Sequence, residues 1–242
     1  MRNNLRLLLL PALAAITGCG DVLGERVIHG RGPVYIENRP VGHFTGVSNS
    51  TAAEVEILHS FTEDVFIRAQ DNILPYVRTR VRNGVLTIYT DSDVTLRPEY
   101  PIIVEVDVVT LRTLESSGRG FMRGQLIDAT RLEVNSSGSG DIDLPDLLAD
   151  SLIILNSGSG DVTAEGQVER LRVNMSAAGG VDTRDLEAFE ADVTISGSGS
   201  ATIRVRDYLR AVLSGSGWLR YFGSPDVEQT VTGTGEVERQ GT

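Results

Sequence analysis

Lysine is absent from this 242-residue chain; all 22 of its basic side chains are arginine. Schiff-base chemistry and the phosphate-binding lysine of a P-loop are thereby excluded. Cysteine occurs once, at Cys19, so no internal disulfide is available. Aromatic residues make up only 5% of the chain, with one tryptophan, Trp218, whereas apolar residues reach 40%. The interior therefore has to be built from Val, Ile, Leu and Ala. His29, His43 and His59 stand at no metal-ligand spacing, and neither a G-x-S-x-G nor an H-E-x-x-H motif occurs. Sustained helical periodicity is missing throughout. Positive charge is outnumbered: 33 acids give a net charge of −11, which argues against nucleic acid or an anionic membrane face as a partner.

What is present begins with a leader. Arg2 and Arg6 precede an apolar stretch from Leu7 to Ile16, too short for an ordinary transmembrane helix and patterned as a secretory signal. It ends Ile16-Thr17-Gly18-Cys19, which resembles the bacterial lipobox, where the cysteine is lipidated and becomes the mature N-terminus. Residues 1–18 are thus expected to be a lipoprotein signal peptide, and 19–30 a lipidated N-terminus and short tether. An ordinary signal peptide followed by a free thiol is the plainer alternative. Lipid on Cys19, a diacylglyceryl thioether with an N-acyl chain, anchors stably where one chain alone is marginal. The expectation is an exported, membrane-anchored protein of the bacterial envelope, placed at the outer membrane. Without the leader, 33 acids face 20 arginines, a net charge of −13.

The second half of the chain repeats. Taking the second glycine of each S-G-S-G-like unit as a marker gives Gly120, Gly140, Gly160, Gly179, Gly199, Gly217 and Gly235, spaced 18 to 20 residues apart. A disordered Gly/Ser linker would hold no phase relation to apolar residues. Here the residue two after each marker is always apolar, from Met122 and Ile142 to Val237, and so is the one eight before it from Leu132 onward. Six before stand Val134, Ile154, Val173, Val193 and Ala211, until Gln229 breaks the series. L-E-V and L-R-V alternate apolar with charged, the period of a half-buried strand.

Repeats near 20 residues, each unable to bury its own apolar face, predict a solenoid. The Leu-x-x-Leu-x-Leu ladder of leucine-rich repeats is missing. The fold expected is all-β, a single-stranded right-handed parallel β-helix with rungs of ~18–20 residues over 116–242. Seven rungs at ~4.8 Å give a prism about 30 Å long. Glycine at the corners is expected to supply positive φ, and serine to bond the local backbone. The N-terminal part, 31–115, is equally β-rich without the glycine signature, with turns at Asp71-Asn72 and Asn83-Gly84. It forms either earlier, less regular rungs or a separate β-domain.

The sequence also resembles the auto-transporter adhesin family with a head GIN domain. The resemblance rests on Arg39, Val41, Phe44 and Val47 in R-x-V-x-x-F-x-x-V, on D-N-x-L through V-x-x-x-V-x-N-G-x-L-x-I between Asp71 and Ile88, and on the S-G-S-G-D-I and S-G-S-G-D-V units. It covers about residues 34 to 238. Membership would imply an exported, often lipidated bacterial β-helical protein, and the family brings no catalytic residues or cofactor. The S-A-A-G-G unit and the final T-G-T-G depart from the pattern.

Several features invite chemistry. Gly/Ser corners can cradle anions, but a phosphate loop needs a following helix, and β-like sequence follows every corner. A calcium β-roll fails on register, since its aspartate slot falls on Ile142. Asp141 and Asp161 do sit at equivalent positions on successive rungs, with Asp143 two residues on. Carboxylates ~5 Å apart must be exposed, bridged by arginine or joined by a cation. Together with Arg123 they also supply material for a polysaccharide lyase or glycoside hydrolase. Trp218, Tyr221 and Phe222 form an aromatic cluster that either packs or serves as a binding surface. The favoured reading is a non-enzymatic envelope solenoid for adhesion, scaffolding or glycan and protein contact. A bare last rung further predicts self-association, a homo-oligomer through the C-terminal end.

Overall fold

A computed structural model describes residues 26–241. The leader 1–18, Cys19 and its lipidation lie outside the described residues. The chain starts with β1 (Arg26–His29), β2 (Val34–Asn38), β3 (Gly46–Asn49) and β4 (Glu54–His59). After β5 (Asp64–Gln70) comes one turn of 3-10 helix, Leu74–Tyr76, and then β6 (Arg78–Arg82), β7 (Val85–Tyr89), β8 (Val94–Arg97) and β9 (Ile103–Val108). β1 already lies within the stretch expected to be a tether, paired in parallel with β8.

The N-terminal part is continuous with the coil. β3 and β4 meet at a corner and are sandwiched between parallel neighbours. β7 and β9 lie on one side, and β10 (Thr113–Ser116) and β11 (Met122–Gln125) on the other. The rung that comes first in the chain is therefore second in space. Antiparallel strands close this end: β5 pairs with β9 and carries β2 on its far edge, and β6 pairs with β7. The β6–β7 hairpin turns on Asn83 and Gly84, with φ of 52° and 76°, the double left-handed turn expected of Asn-Gly.

Beyond β11 the stack becomes regular. β12 (Ile127–Ser136), β13 (Ile142–Asn156), β14 (Val162–Met175), β15 (Gly180–Ile195) and β16 (Ser200–Leu213) run parallel, their register shifting only at the bulges after Leu144, Thr163, Thr183 and Ala188. β17 (Trp218–Phe222), β18 (Asp226–Val231) and β19 (Glu236–Arg239) end it. The solenoid has about six turns, because the seventh unit is only a partial one. The columns read from the repeat point inward: Leu132, Leu152 and Leu209, like Val134, Ile154, Val173 and Val193, have no exposed surface. Burying a Val, Leu or Ile side chain is worth roughly 1.5–3 kcal/mol, so stacked rungs supply the core that no single rung holds.

The corner glycines correct one expectation. Among the described residues, positive φ at glycine occurs at Gly32, Gly84, Gly166, Gly223 and Gly241, and at none of the marker positions. The requirement is steric instead. A Cβ on Gly138, Gly140, Gly158 or Gly160 would stand 2.0–2.2 Å from the carbonyl oxygen of Gly118, Gly120, Gly138 or Gly140 in the rung before. Serine acts across rungs as well: the Ser137 and Ser157 hydroxyls donate to the carbonyls of Ser116 and Ser136, each at 3.4 Å.

Candidate functional site

The outward face beside the corners carries the residues singled out for chemistry. Asp141 and Asp161 stack as expected, and the next rung's backbone stands between them. Asp141 Oδ1 accepts the Asp161 N–H at 2.8 Å, and Asp161 Oδ1 accepts the Gly180 N–H at 2.8 Å. Asp143 stands in the adjoining column, where its Oδ1 accepts from the Thr163 hydroxyl at 2.8 Å and its Oδ2 lies 3.6 Å from Arg123 Nε. The column continues through Asp182, Thr202, Arg220 and Glu238, acids alternating with hydroxyls and arginines. Such alternation keeps like charges from facing one another on adjacent strands. Among the described residues, no group of three or more His, Cys, Asp or Glu gathers to hold a metal ion.

At two corners the amides are all committed too. Ser137 and Gly138 donate to Ser116 O, and Ser139 and Gly140 to Gly118 O; the Ser157–Gly160 corner repeats this against Ser136 O and Gly138 O. These N–H groups point down the stack, which leaves them unable to cradle a phosphate. At one corner a buried asparagine adds a clamp. Asn156, 2% exposed, donates to Gly160 O and Gly180 O at 2.9 and 3.1 Å and accepts from Gly158 N at 3.1 Å. Asn49 makes the same contacts with Ala53 O and Thr51 N in the second rung of the coil.

The aromatic cluster splits. Trp218 stands outward and half-buried while Leu219 is fully inside. The Arg220 guanidinium lies 4.0 Å from the centre of the Trp218 ring, and Arg204 lies 5.3 Å from that of Phe222, its cross-strand neighbour. Tyr221 alternates to the other side and packs against the core, so it is not part of the outward cluster. The outward surface on the last turns is thus Trp218, Arg220, Phe222 and Arg204, aromatics interleaved with guanidinium groups.

One carboxylate pair escaped the repeat analysis because it lies outside the repeats. Asp64 and Asp107 are directly opposite on antiparallel β5 and β9. Burial, and then the Asp64 charge, push the Asp107 carboxyl above its ordinary range. Both strands alternate apolar with polar residues, but the antiparallel register that joins them is a long-range pairing.

A single-chain parallel β-solenoid, sealed at its N-terminal end by antiparallel strands and tied rung to rung by its outer acids, is the class these features define. The chain belongs to the family described as putative auto-transporter adhesin, head GIN domain, which matches residues 43–225. Membership implies an exported or cell-surface protein. Among solved structures, a putative adhesin from Bacteroides fragilis is similar with a TM-score of 0.83 at 21% identity, covering 88% of this chain and 99% of its own. A putative lipid binding protein from Parabacteroides distasonis has a TM-score of 0.74 at 21% identity, with the same coverage. A putative adhesin from Parabacteroides merdae has 0.68 at 21%, again covering 88% and 99%. At these identities the likeness is one of fold. No curated protein matches the chain.

Proposed function

We propose that the protein is a non-enzymatic adhesion module, anchored to the envelope by lipid on Cys19, that presents the rigid side of its solenoid to a glycan or protein. The observation that carries this reading is the use made of Asp141, Asp161 and Asp143. Each is engaged with a neighbouring rung, whereas the glycosidase alternative needs a carboxylate pair free to trade protons and nucleophilic contact. The names of the B. fragilis and P. merdae structures point the same way. The lipid-binding name of the P. distasonis structure gains no support from the interior, which is filled by side chains such as Ile142, Leu152 and Val173.

The anchor fixes the direction of presentation. Only six residues separate Cys19 from β1, at most ~25 Å of extended chain, so the antiparallel end sits near the membrane. The aromatic and arginine surface around Trp218 then lies toward the distal end. The test is binding of the mature chain to immobilised glycans and to proteins captured from native envelope, repeated with Trp218→Ala. Lost binding at unchanged stability supports a contact surface there; a large loss of stability assigns Trp218 to packing. Cys19→Ser should abolish incorporation of labelled fatty acid and release the protein from the membrane fraction, and retained labelling would refute the anchor.

A further inference from the structure

Seven of the corner levels above β3–β4 are closed by tight Gly/Ser or Gly/Thr turns, but the rung beneath β3–β4 is not. Between β7 and β9 the chain runs through a long arch, residues 90–102, that includes β8. Nothing is stacked tightly under the corner of β3–β4, so Thr51 and Ala53 stand there with side chains where later rungs require glycine. Between the arch and the ridge of corners lies an open groove of about 860 Å³.

The groove is held in place from the core. Gln70, 1% exposed, accepts the Glu99 N–H at 2.8 Å through its Oε1, and β8 is pinned to β1. Its lining has an apolar base that includes Val94 and Ile102, and around it stand Tyr100, Arg119, Glu54 and Glu99. Tyr100 is 52% exposed, an aromatic ring left to solvent at the lip. Arg119 is a departure within the repeat, since the same place in later units is Ser139, Ser159, Ala178, Ser198, Ser216 and Thr234. Among the described residues, neither Arg119 nor the Glu54 and Glu99 carboxylates take part in an ion pair, although ten such pairs occur elsewhere.

We infer that this groove is a binding site for a neutral oligosaccharide. The inference rests on the adhesion reading and names its ligand class and place. A sugar ring presents C–H groups to an aromatic face and hydroxyls that both donate and accept. Tyr100 supplies the face. Glu54 and Glu99 accept hydroxyl protons, and the forked guanidinium of Arg119 donates to hydroxyl oxygens. The volume falls in the range of small-molecule sites. A uronic or sialic acid would meet two carboxylates for one guanidinium, which selects for uncharged sugars.

The test uses the mature chain on an array of neutral and acidic oligosaccharides, followed by calorimetric titration of the strongest neutral binder. Arg119→Ser converts the corner to the residue its repeat mates carry, so it should leave the unfolding temperature unchanged while weakening binding at least tenfold. Tyr100→Ala should do the same. Binding that survives both substitutions but is lost in Trp218→Ala overturns the groove and leaves the adhesion reading intact. Preference for acidic sugars, or binding only to envelope proteins, overturns the neutral-glycan assignment alone. Binding to neither glycans nor envelope proteins overturns both.

Discussion

Replacing Gly158 by alanine tests the reason for the repeat itself. The added Cβ would stand 2.1 Å from Gly138 O, whereas ordinary contact begins at 3.4 Å, so the corner must open by about 1.3 Å. That movement strains the bonds from Gly158 N to Ser136 O at 3.2 Å and from Ser159 N to Gly138 O at 3.0 Å. At ~1 kcal/mol for each bond, and ~1–3 kcal/mol for overpacking, the cost is roughly 3–5 kcal/mol. The protein contains its own precedent at Ala177, which stands where the neighbouring rungs have glycine. There Ser176 N and Gly179 N still bond to Asn156 O and Gly158 O, so the corner closes around an alanine; the two bonds in between are missing among the described residues both there and at the Gly197 corner above it. Gly84→Ala is the control, because its φ is +76° but the nearest atom to a new Cβ is Thr45 Oγ1 at 3.8 Å. Left-handed strain alone costs ~1–2 kcal/mol. Urea unfolding followed by circular dichroism and by the fluorescence of Trp218, the single tryptophan, separates global from local loss. If Gly158→Ala unfolds at the wild-type urea concentration, the steric account of the corners is wrong.

Asn156→Ala leaves Gly160 O and Gly180 O without their buried donor and should cost ~1–3 kcal/mol, whereas Ser136→Ala removes a buried hydroxyl with no protein partner and should cost less than ~1 kcal/mol; paired urea curves decide. For Asp107 the folded carboxyl holds its proton more tightly than the unfolded one, so stability declines as pH rises through the raised pKa and the penalty persists at neutral pH. Asp64→Asn or Asp107→Asn should therefore stabilise the protein at pH 7 and lose that advantage below the unfolded pKa, and an equal gain at both pH values would refute the assignment. Self-association through the C-terminal rung is opposed at neutral pH by Asp226, Glu228, Glu236 and Glu238 on β18 and β19. The double variant Asp226→Asn, Glu228→Gln should shift sedimentation toward dimer, and an unchanged monomer would place any self-contact elsewhere.

The regular half of the fold was readable because one steric demand recurs at every corner. Each glycine meets the carbonyl below it, and the chain returns to the same phase, so inward positions such as Ile142, Leu152 and Val134 could be counted off from it. The cause assigned to those glycines was nevertheless wrong, since sequence spacing carries no information on whether glycine is kept for φ or for clearance. Where the demand lapses, so does the signature. Asn49-Ser50-Thr51-Ala52-Ala53-Glu54-Val55 is the same corner as Asn156-Ser157-Gly158-Ser159-Gly160-Asp161-Val162, with Asn49 and Asn156 making equivalent bonds. Its glycines are replaced because the arch beneath leaves room for side chains. A search keyed on asparagine and the following acid, instead of on glycine, would have found it.

The candidate sites follow the same logic. Trp218 was visible because it follows Asp141, Asp161, Gly180 and Ser200 in one column, and Arg119 departs from a column that is otherwise hydroxyls and one alanine. A repeat fixes what backbone geometry requires at each position, so a residue that departs from it without structural need is free to answer to a ligand. Arg119 meets that description: the Ser137–Gly140 and Ser157–Gly160 corners close with serine in its place, and no ion pair among the described residues uses its charge. Tyr100 and Glu99 could not be placed beside it from sequence, because the arch reaches the corners only through the inverted order in which β7–β9 lies beneath β3–β4. The irregular N-terminal rungs thus do more than cap the coil. By breaking the tight corner they open a groove between the ridge and the arch, and there Arg119 puts a guanidinium where most later units carry a hydroxyl.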